Sequence, residues 1–142
     1  MSRTRKTWRE KLADAKDLPK TMVIPSPAEV DAVMRRVPKG KLATINEIRA
    51  CLAREHGTDI ACPMTTGIFA WIAAHAAEEA RAAGEKKVTP YWRTLRSGGE
   101  LNPKYPGGSP ALRRLLATEG HKVVRKGSRH VVDNFAARLA RL

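Results

Sequence analysis

A mainly α domain with small β hairpins, of the winged helix-turn-helix type that binds DNA, is the fold class this sequence predicts. Three observations lead there. Two capping-box patterns follow one another, Ser26-Pro27-Ala28-Glu29 and Thr44-Ile45-Asn46-Glu47, each running into apolar residues at helical spacing. A third helical run starts a few residues after the second ends, so two helices share a short turn. Towards the C-terminus two β-prone runs flank Lys126-Gly127-Ser128, which reads as the wing.

The 142 residues suffice for one compact domain with a modest core, and a second independent core is not expected. Residues 1 to 25 read as a basic arm, with Arg3, Arg5, Lys6, Arg9, Lys11, Lys16 and Lys20 against Glu10, Asp14 and Asp17, helical around Trp8 to Ala15. It is either a solvated tail or a phosphate-gripping arm that Trp8 anchors to the body. The domain proper spans residues 26 to 134. Its first helix starts at Ser26, buries Val30, Val33, Met34 and Val37, and ends at Pro38 and Gly40. The second opens at Thr44, turns Ile45, Ile48, Cys51 and Leu52 inward, and stops at Gly57.

The third helix begins near Cys62-Pro63 and runs to an alanine-rich end at Gly84; its first turns, Met64, Thr65, Thr66 and Gly67, would be the groove-facing part. A glycine inside a helix costs about 1 kcal/mol relative to alanine, so Gly67 suits a place where a groove or another helix comes close. Tyr91 to Arg96 and Glu100-Leu101 flank Ser97-Gly98-Gly99 as a hairpin-like turn. Ser109-Pro110 caps a fourth helix, with Leu112, Leu115 and Leu116 inward and Arg113 and Arg114 outward, ending at Gly120. Residues 135 to 142 are expected to close the domain as a short helix that packs Phe135, Leu139 and Leu142.

Charge names the partner class. The chain carries 27 Lys and Arg against 14 Asp and Glu, a formal net charge of +13, which calls for a polyanion. Between Lys86 and Arg129 stand eleven cations and two acids, more than solubility requires, and Arg96, Lys104, Arg113, Arg114, Lys122, Arg125 and Lys126 are the candidate phosphate contacts. No apolar run is long enough for a membrane span and no signal peptide is evident, so a membrane partner is not expected and a cytoplasmic, nucleoid-associated location is. Cys51 and Cys62 lack metal-site spacing and the four histidines are scattered, so neither metal nor cofactor is expected.

Aromatics concentrate in one stretch. Thr89-Pro90-Tyr91-Trp92-Arg93-Thr94-Leu95 and the glycine-rich residues up to Gly108 hold both tyrosines, one of three tryptophans and four of ten glycines. Tyr91, Trp92, Arg93 and Tyr105 read as the walls of a base-sized pocket. Two adjacent aromatics before a turn also often pack beneath a hairpin, and that reading stays open.

These segments carry a resemblance. Val37-Pro38-Lys39-Gly40-Lys41-Leu42-Ala43-Thr44 before a helix, Pro90-x-x-Arg93 before a Gly-x-Leu turn, Tyr105-x-Gly107-Gly108, and Leu115-Leu116-Ala117-Thr118-Glu119-Gly120 resemble the DNA-binding domain of the alkylguanine-DNA alkyltransferases and the alkyltransferase-like proteins, over roughly residues 26 to 125. The resemblance implies a winged helix-turn-helix on the minor groove that flips an alkylated guanine into a pocket; in the enzymes of the family a cysteine in a Pro-Cys-His-Arg motif takes the alkyl group.

Departures from that pattern shape the expectation. Tyr91 stands where the acceptor cysteine belongs and Trp92 where its histidine belongs, and neither makes a thiolate, so alkyl transfer there is not expected. Glu119, which matches the glutamate that orients the histidine, is left a structural task near the end of the fourth helix. Met64 replaces the arginine that fills the space of the flipped base, and Ile45 replaces a tyrosine that presses on the DNA backbone. The leading expectation is a monomeric, non-catalytic protein that binds double-stranded DNA, recognises alkylated guanine and flags it to a DNA-repair protein. A general winged-helix regulator or nucleoid-associated protein that flips no base is the alternative, and an enzyme using Cys62 a third.

Overall fold

The computed structural model of the protein describes residues 7–14 and 21–142, leaving aside the side chains of 13 and 14. Arg3, Arg5, Lys6, Lys16 and Lys20 of the expected arm lie outside the described residues. Five helices carry the fold: α1 (Trp8–Asp14), α2 (Pro27–Arg35), α3 (Ile45–His56), α4 (Pro63–Ala82) and α5 (Gly108–Thr118). Six short strands accompany them: β1 (Met22–Val23), β2 (Ala43–Thr44), β3 (Ile60–Ala61), β4 (Thr94–Leu95), β5 (Val123–Lys126) and β6 (Arg129–Val132).

Local sequence sets the starts of α2 and α3 and the end of α3, whereas α5 begins at Gly108 behind a left-handed Gly107, so Ser109 and Pro110 lie within its first turn instead of capping it as expected. Ser26 and Thr44 each close a reciprocal capping box, with Glu29 and Glu47 returning a bond to the cap residue's own N–H, so orphan donors at both N-termini are satisfied. Gly57 ends α3 in the left-handed conformation. The core gathers the inward faces these helices were expected to have: Val30, Val33 and Met34 from α2, Ile48, Cys51 and Leu52 from α3, Leu112 and Leu116 from α5. α4 reaches it through small residues, Ala70, Ala73, Ala74 and Ala77, which let the helix lie close against α2 and α3.

The strands pair differently from the expected hairpins. Only β5 and β6 form one, antiparallel, with Val123 opposite Val132 and Lys126 opposite Arg129. β1 pairs in parallel with β3, and β2 with β4. Around Ser97-Gly98-Gly99 the expected turn forms, closed by the Arg96 N–H on the Glu100 carbonyl at 2.8 Å, but its arms go to different partners. Thr94 and Leu95 join β2, while Glu100 bridges Val131. Gly99 lets the turn sit against Phe135: at φ +81° a side chain there would be strained and would meet the Phe135 ring at 2.4 Å. Residues Tyr91–Arg93 form a 3-10 turn.

The C-terminal segment also departs from expectation. Phe135–Arg138 makes only a 3-10 turn, and Leu139 then runs extended beside Leu42, with Leu42 N–H on Arg138 O and Ala140 N–H on Leu42 O at 2.9 and 2.8 Å. Backbone pairing with residue 42 offers those amides partners that a lone C-terminal helical turn would leave to water. Phe135, Leu139 and Leu142 still pack on the core, as expected.

Candidate nucleic-acid interface

The amino-terminal half of α4 presents two opposite faces. Thr66, Ala70, Ala73 and Ala74 point into the core, while Met64, Ile68 and Trp71, spaced four and three residues apart, point out. Met64 is 74% exposed and Trp71 44%, which is unusual for large apolar side chains aligned on one helix. With Pro63, Gly67, Arg96, Asn102 and Lys104 they line an open cleft of about 410 Å³. A volume of that size falls within the usual range of small-molecule sites.

The far wall of the cleft is tied down. The Trp71 indole donates to the Lys104 carbonyl at 3.1 Å, and His75 Nε2 lies 3.0 Å from the same oxygen. These contacts hold the 102–108 loop against α4, and Trp71 and His75 meet edge to face at 5.3 Å. At the cleft floor, a Cβ on Gly67 would find nothing within 4 Å. Among the described residues no helix crosses close to Gly67, so the helix-crossing role open to this glycine is not the one it has.

Several expected site residues lie elsewhere. Thr66 is fully buried and its hydroxyl donates to the Cys62 carbonyl at 2.7 Å, so it turns inward from the groove-facing surface. Thr65 is half-buried and donates to Cys62 Sγ at 3.0 Å. The base pocket expected from Tyr91, Trp92, Arg93 and Tyr105 is not an open one. Tyr91 and Tyr105 are 3% and 5% exposed and pack edge to face at 6.2 Å as part of the core. Burial pushes both phenols up to about 12, with the Glu78 carboxylate adding to the effect on Tyr91. Tyr91 donates its hydroxyl to Glu78 at 3.2 Å and opens onto a separate cleft of about 390 Å³ shared with Arg81, Gly107 and Arg114.

Trp92 and Arg93 instead serve Glu119. The indole donates at 2.6 Å, Arg93 Nε and Nη2 at 2.8 and 3.1 Å, and the Gly40 N–H at 3.1 Å. Arg93 Nη1 also reaches the Val37 carbonyl at 2.8 Å. Burial alone would raise the Glu119 carboxyl, but the Arg93 guanidinium, the indole and the Gly40 amide outweigh it and hold the group below its ordinary value. Glu119 thus ties the end of α5 to the 3-10 turn and to the segment after α2, the structural task expected of it.

The seven candidate phosphate contacts divide by place. Arg96 and Lys104 stand on the rim of the α4 cleft, where Arg96 also pairs loosely with Glu100 at 3.7 Å. Arg113 and Arg114 are exposed on α5, Lys122 precedes the β5–β6 hairpin, and Arg125 and Lys126 are exposed on it. Cys62 caps no N–H of α4 in the usual way, yet the Thr65 hydroxyl holds its thiol below the ordinary cysteine range, while burial pushes that of Cys51 up. Among the described residues no group of three or more His, Cys, Asp or Glu is placed to hold a metal ion, and no helix is long and apolar enough to cross a membrane.

Sequence reasoning passed over Ile68, Trp71, Asn102 and the clasp from His75. The signal was available: every large apolar residue in the first turns of α4 except Phe69 lies off the alanine face, so a helix that is apolar all round had to expose one side.

The fold is similar to that of alkyltransferase-like proteins. Two solved structures have it: S. pombe Atl1 in complex with damaged DNA containing O6-carboxymethylguanine (TM-score 0.54), and S. pombe ATL in complex with DNA (TM-score 0.53). Each is 17% identical to this chain, over 82% of this chain and 94% of the other. No protein-family model and no curated protein matches the sequence.

Proposed function

We propose that this protein is a non-catalytic duplex-DNA-binding protein of the alkyltransferase-like type, which lays α4 in a groove and receives an extruded base in the cleft beside Trp71. The observation that carries the reading is the exposed stripe of Met64, Ile68 and Trp71 around Gly67, rimmed by Arg96 and Lys104. Apolar side chains wedge between base pairs, an indole offers a face for stacking, and cations hold phosphates. The base would stop at Trp71 instead of reaching Tyr91, because the loop is held to α4 by the Lys104 carbonyl. Two solved structures with this fold contain DNA, in one case damaged DNA, which supports the same partner here. Alkyl transfer is no part of the proposal: a phenol held protonated to about 12 is a poor nucleophile, and the Trp92 indole donates a hydrogen bond to Glu119 and cannot act as a base. The protein would act as a monomer near the chromosome and hand an alkylated guanine to a DNA-repair protein.

The second reading, a winged-helix protein that flips no base, is favoured by the burial of Tyr91 and Tyr105. One experiment separates them. Duplexes with and without a single O6-alkylguanine are titrated with the protein, with 2-aminopurine beside the lesion reporting extrusion. Tighter binding and a fluorescence rise on the lesion duplex support base recognition. Equal affinities without a rise leave the general DNA binder.

A further inference from the structure

A second cleft lies further along α4. Glu78 and Arg81 follow Trp71 by about two to three turns of the same helix, and the 102–108 loop stands between. Asn102 and Lys104 line the cleft of Trp71, Pro106 and Gly107 the other. Gly107 lets the loop close onto α5, since at φ +76° a side chain there would be strained and would meet the Ala111 Cβ at 2.5 Å. The space between α4, the loop and α5 is about 390 Å³, enough for a small organic molecule.

Its walls are of two kinds. Pro106, Ala111 and Leu115 make an apolar side, while Arg81 and Arg114 bring guanidinium groups to the same space from two different helices. Glu78, the one acid among the lining residues, is already engaged: it accepts from Arg81 Nε and Nη2 at 3.0 and 2.7 Å and from the Tyr91 hydroxyl at 3.2 Å. The Arg81 guanidinium holds that carboxyl below its ordinary value, so the two charges answer each other. Arg114 is exposed, and among the described residues its guanidinium has no hydrogen-bond or ion-pair partner. The cleft therefore keeps one uncompensated positive charge beside an apolar wall. A planar guanidinium fork binds a carboxylate or phosphate through two parallel hydrogen bonds, and the wall suits whatever apolar group carries that anion.

We propose that this cleft binds a small organic oxyanion, a phosphate monoester or carboxylate on an apolar body, with Arg114 gripping the anion and Ala111 and Leu115 receiving the body. It gives Arg114 a partner other than the DNA backbone expected from its charge. The cleft is separate from that of Trp71, so the inference stands apart from the reading of the protein as a duplex-DNA binder.

The test titrates phenyl phosphate, benzoate, inorganic phosphate and benzyl alcohol into the isotope-labelled full-length protein and follows backbone amide shifts. Phenyl phosphate or benzoate should give saturable shifts at residues 106–118, and the tighter of the two assigns the oxyanion. Inorganic phosphate lacks the body and benzyl alcohol lacks the charge, so each should bind at least about tenfold more weakly than the tighter probe. Arg114→Gln should weaken that probe by about tenfold or more, through loss of a hydrogen-bonded charge. Arg113→Gln removes the same charge from a neighbour that does not line the cleft, and at physiological salt should change the affinity by less than about twofold. Both arginines are exposed, so neither variant should shift the melting temperature. Absence of a saturable shift with both organic probes would overturn the proposal. Equal weakening by the two substitutions would do the same, leaving only the diffuse pull of a chain charged at +13. So would equal affinity for inorganic and phenyl phosphate, since the apolar wall would then take no part.

Discussion

At the scale of single residues, Glu119 decides most. Its side chain is 4% exposed, and that of its partner Arg93 14%, so the pair is screened little by water. Glu119→Gln leaves the Arg93 guanidinium without its counter-charge and should destabilise the protein by about 3–5 kcal/mol in urea unfolding. The pH dependence follows from the lowered carboxyl. A carboxyl held below its ordinary 4.5 in the folded state stabilises fully above that value, and the contribution is lost as pH falls through the folded pKa. Unfolding free energy should therefore drop below about pH 4, where the unfolded carboxyl binds its proton first, and the Gln variant should show a weaker drop. Trp92 and Arg93 read in the sequence as pocket walls; that they serve a carboxylate 26 or 27 positions later was not legible, since nothing local links them.

At the scale of elements, α4 carries a conflict between stability and binding. Gly67→Ala removes backbone freedom from the unfolded chain and meets nothing within 4 Å in the folded one, so the variant should gain about 0.5–1 kcal/mol in thermal unfolding. Its duplex affinity should fall, because the added methyl stands where DNA has to come close. Trp71→Ala should do the reverse: a small cost from losing the Lys104 contact, and about 1–3 kcal/mol lost in binding a duplex with an extrudable base. Both are read by melting temperature beside fluorescence anisotropy. The boundaries of α2 and α3 were legible because capping boxes act within four residues. The strand pairing was not: Leu95 and Glu100 are five residues apart and join different neighbours, a choice made by β2 and by Val131.

For the whole molecule, charge dominates. A net charge of +13 on 142 residues makes association with any duplex strongly salt-dependent. If the seven sequence candidates all meet phosphates, log affinity against log salt should have a slope of about −6, at 0.9 per contact, measured by anisotropy across salt concentrations. A slope near −2 would restrict the contacts to the cleft rim of Arg96 and Lys104.

The sequence by itself determined the net charge, the order of the helices, the caps of α2 and α3 and the basic hairpin, since each depends on residues a few positions apart or on composition alone. Tertiary structure alone decided which aromatics stay exposed. The two tyrosines and Trp71 are all large, partly polar and flanked by glycines or alanines, and sequence does not rank them. Packing does: Tyr91 and Tyr105 fill the space beside α4 and α5 and lose their surface, while the small residues of α4 take the core contact and leave Trp71 outside. Trp71, left 44% exposed at the cleft, is the aromatic on which the proposed base contact rests.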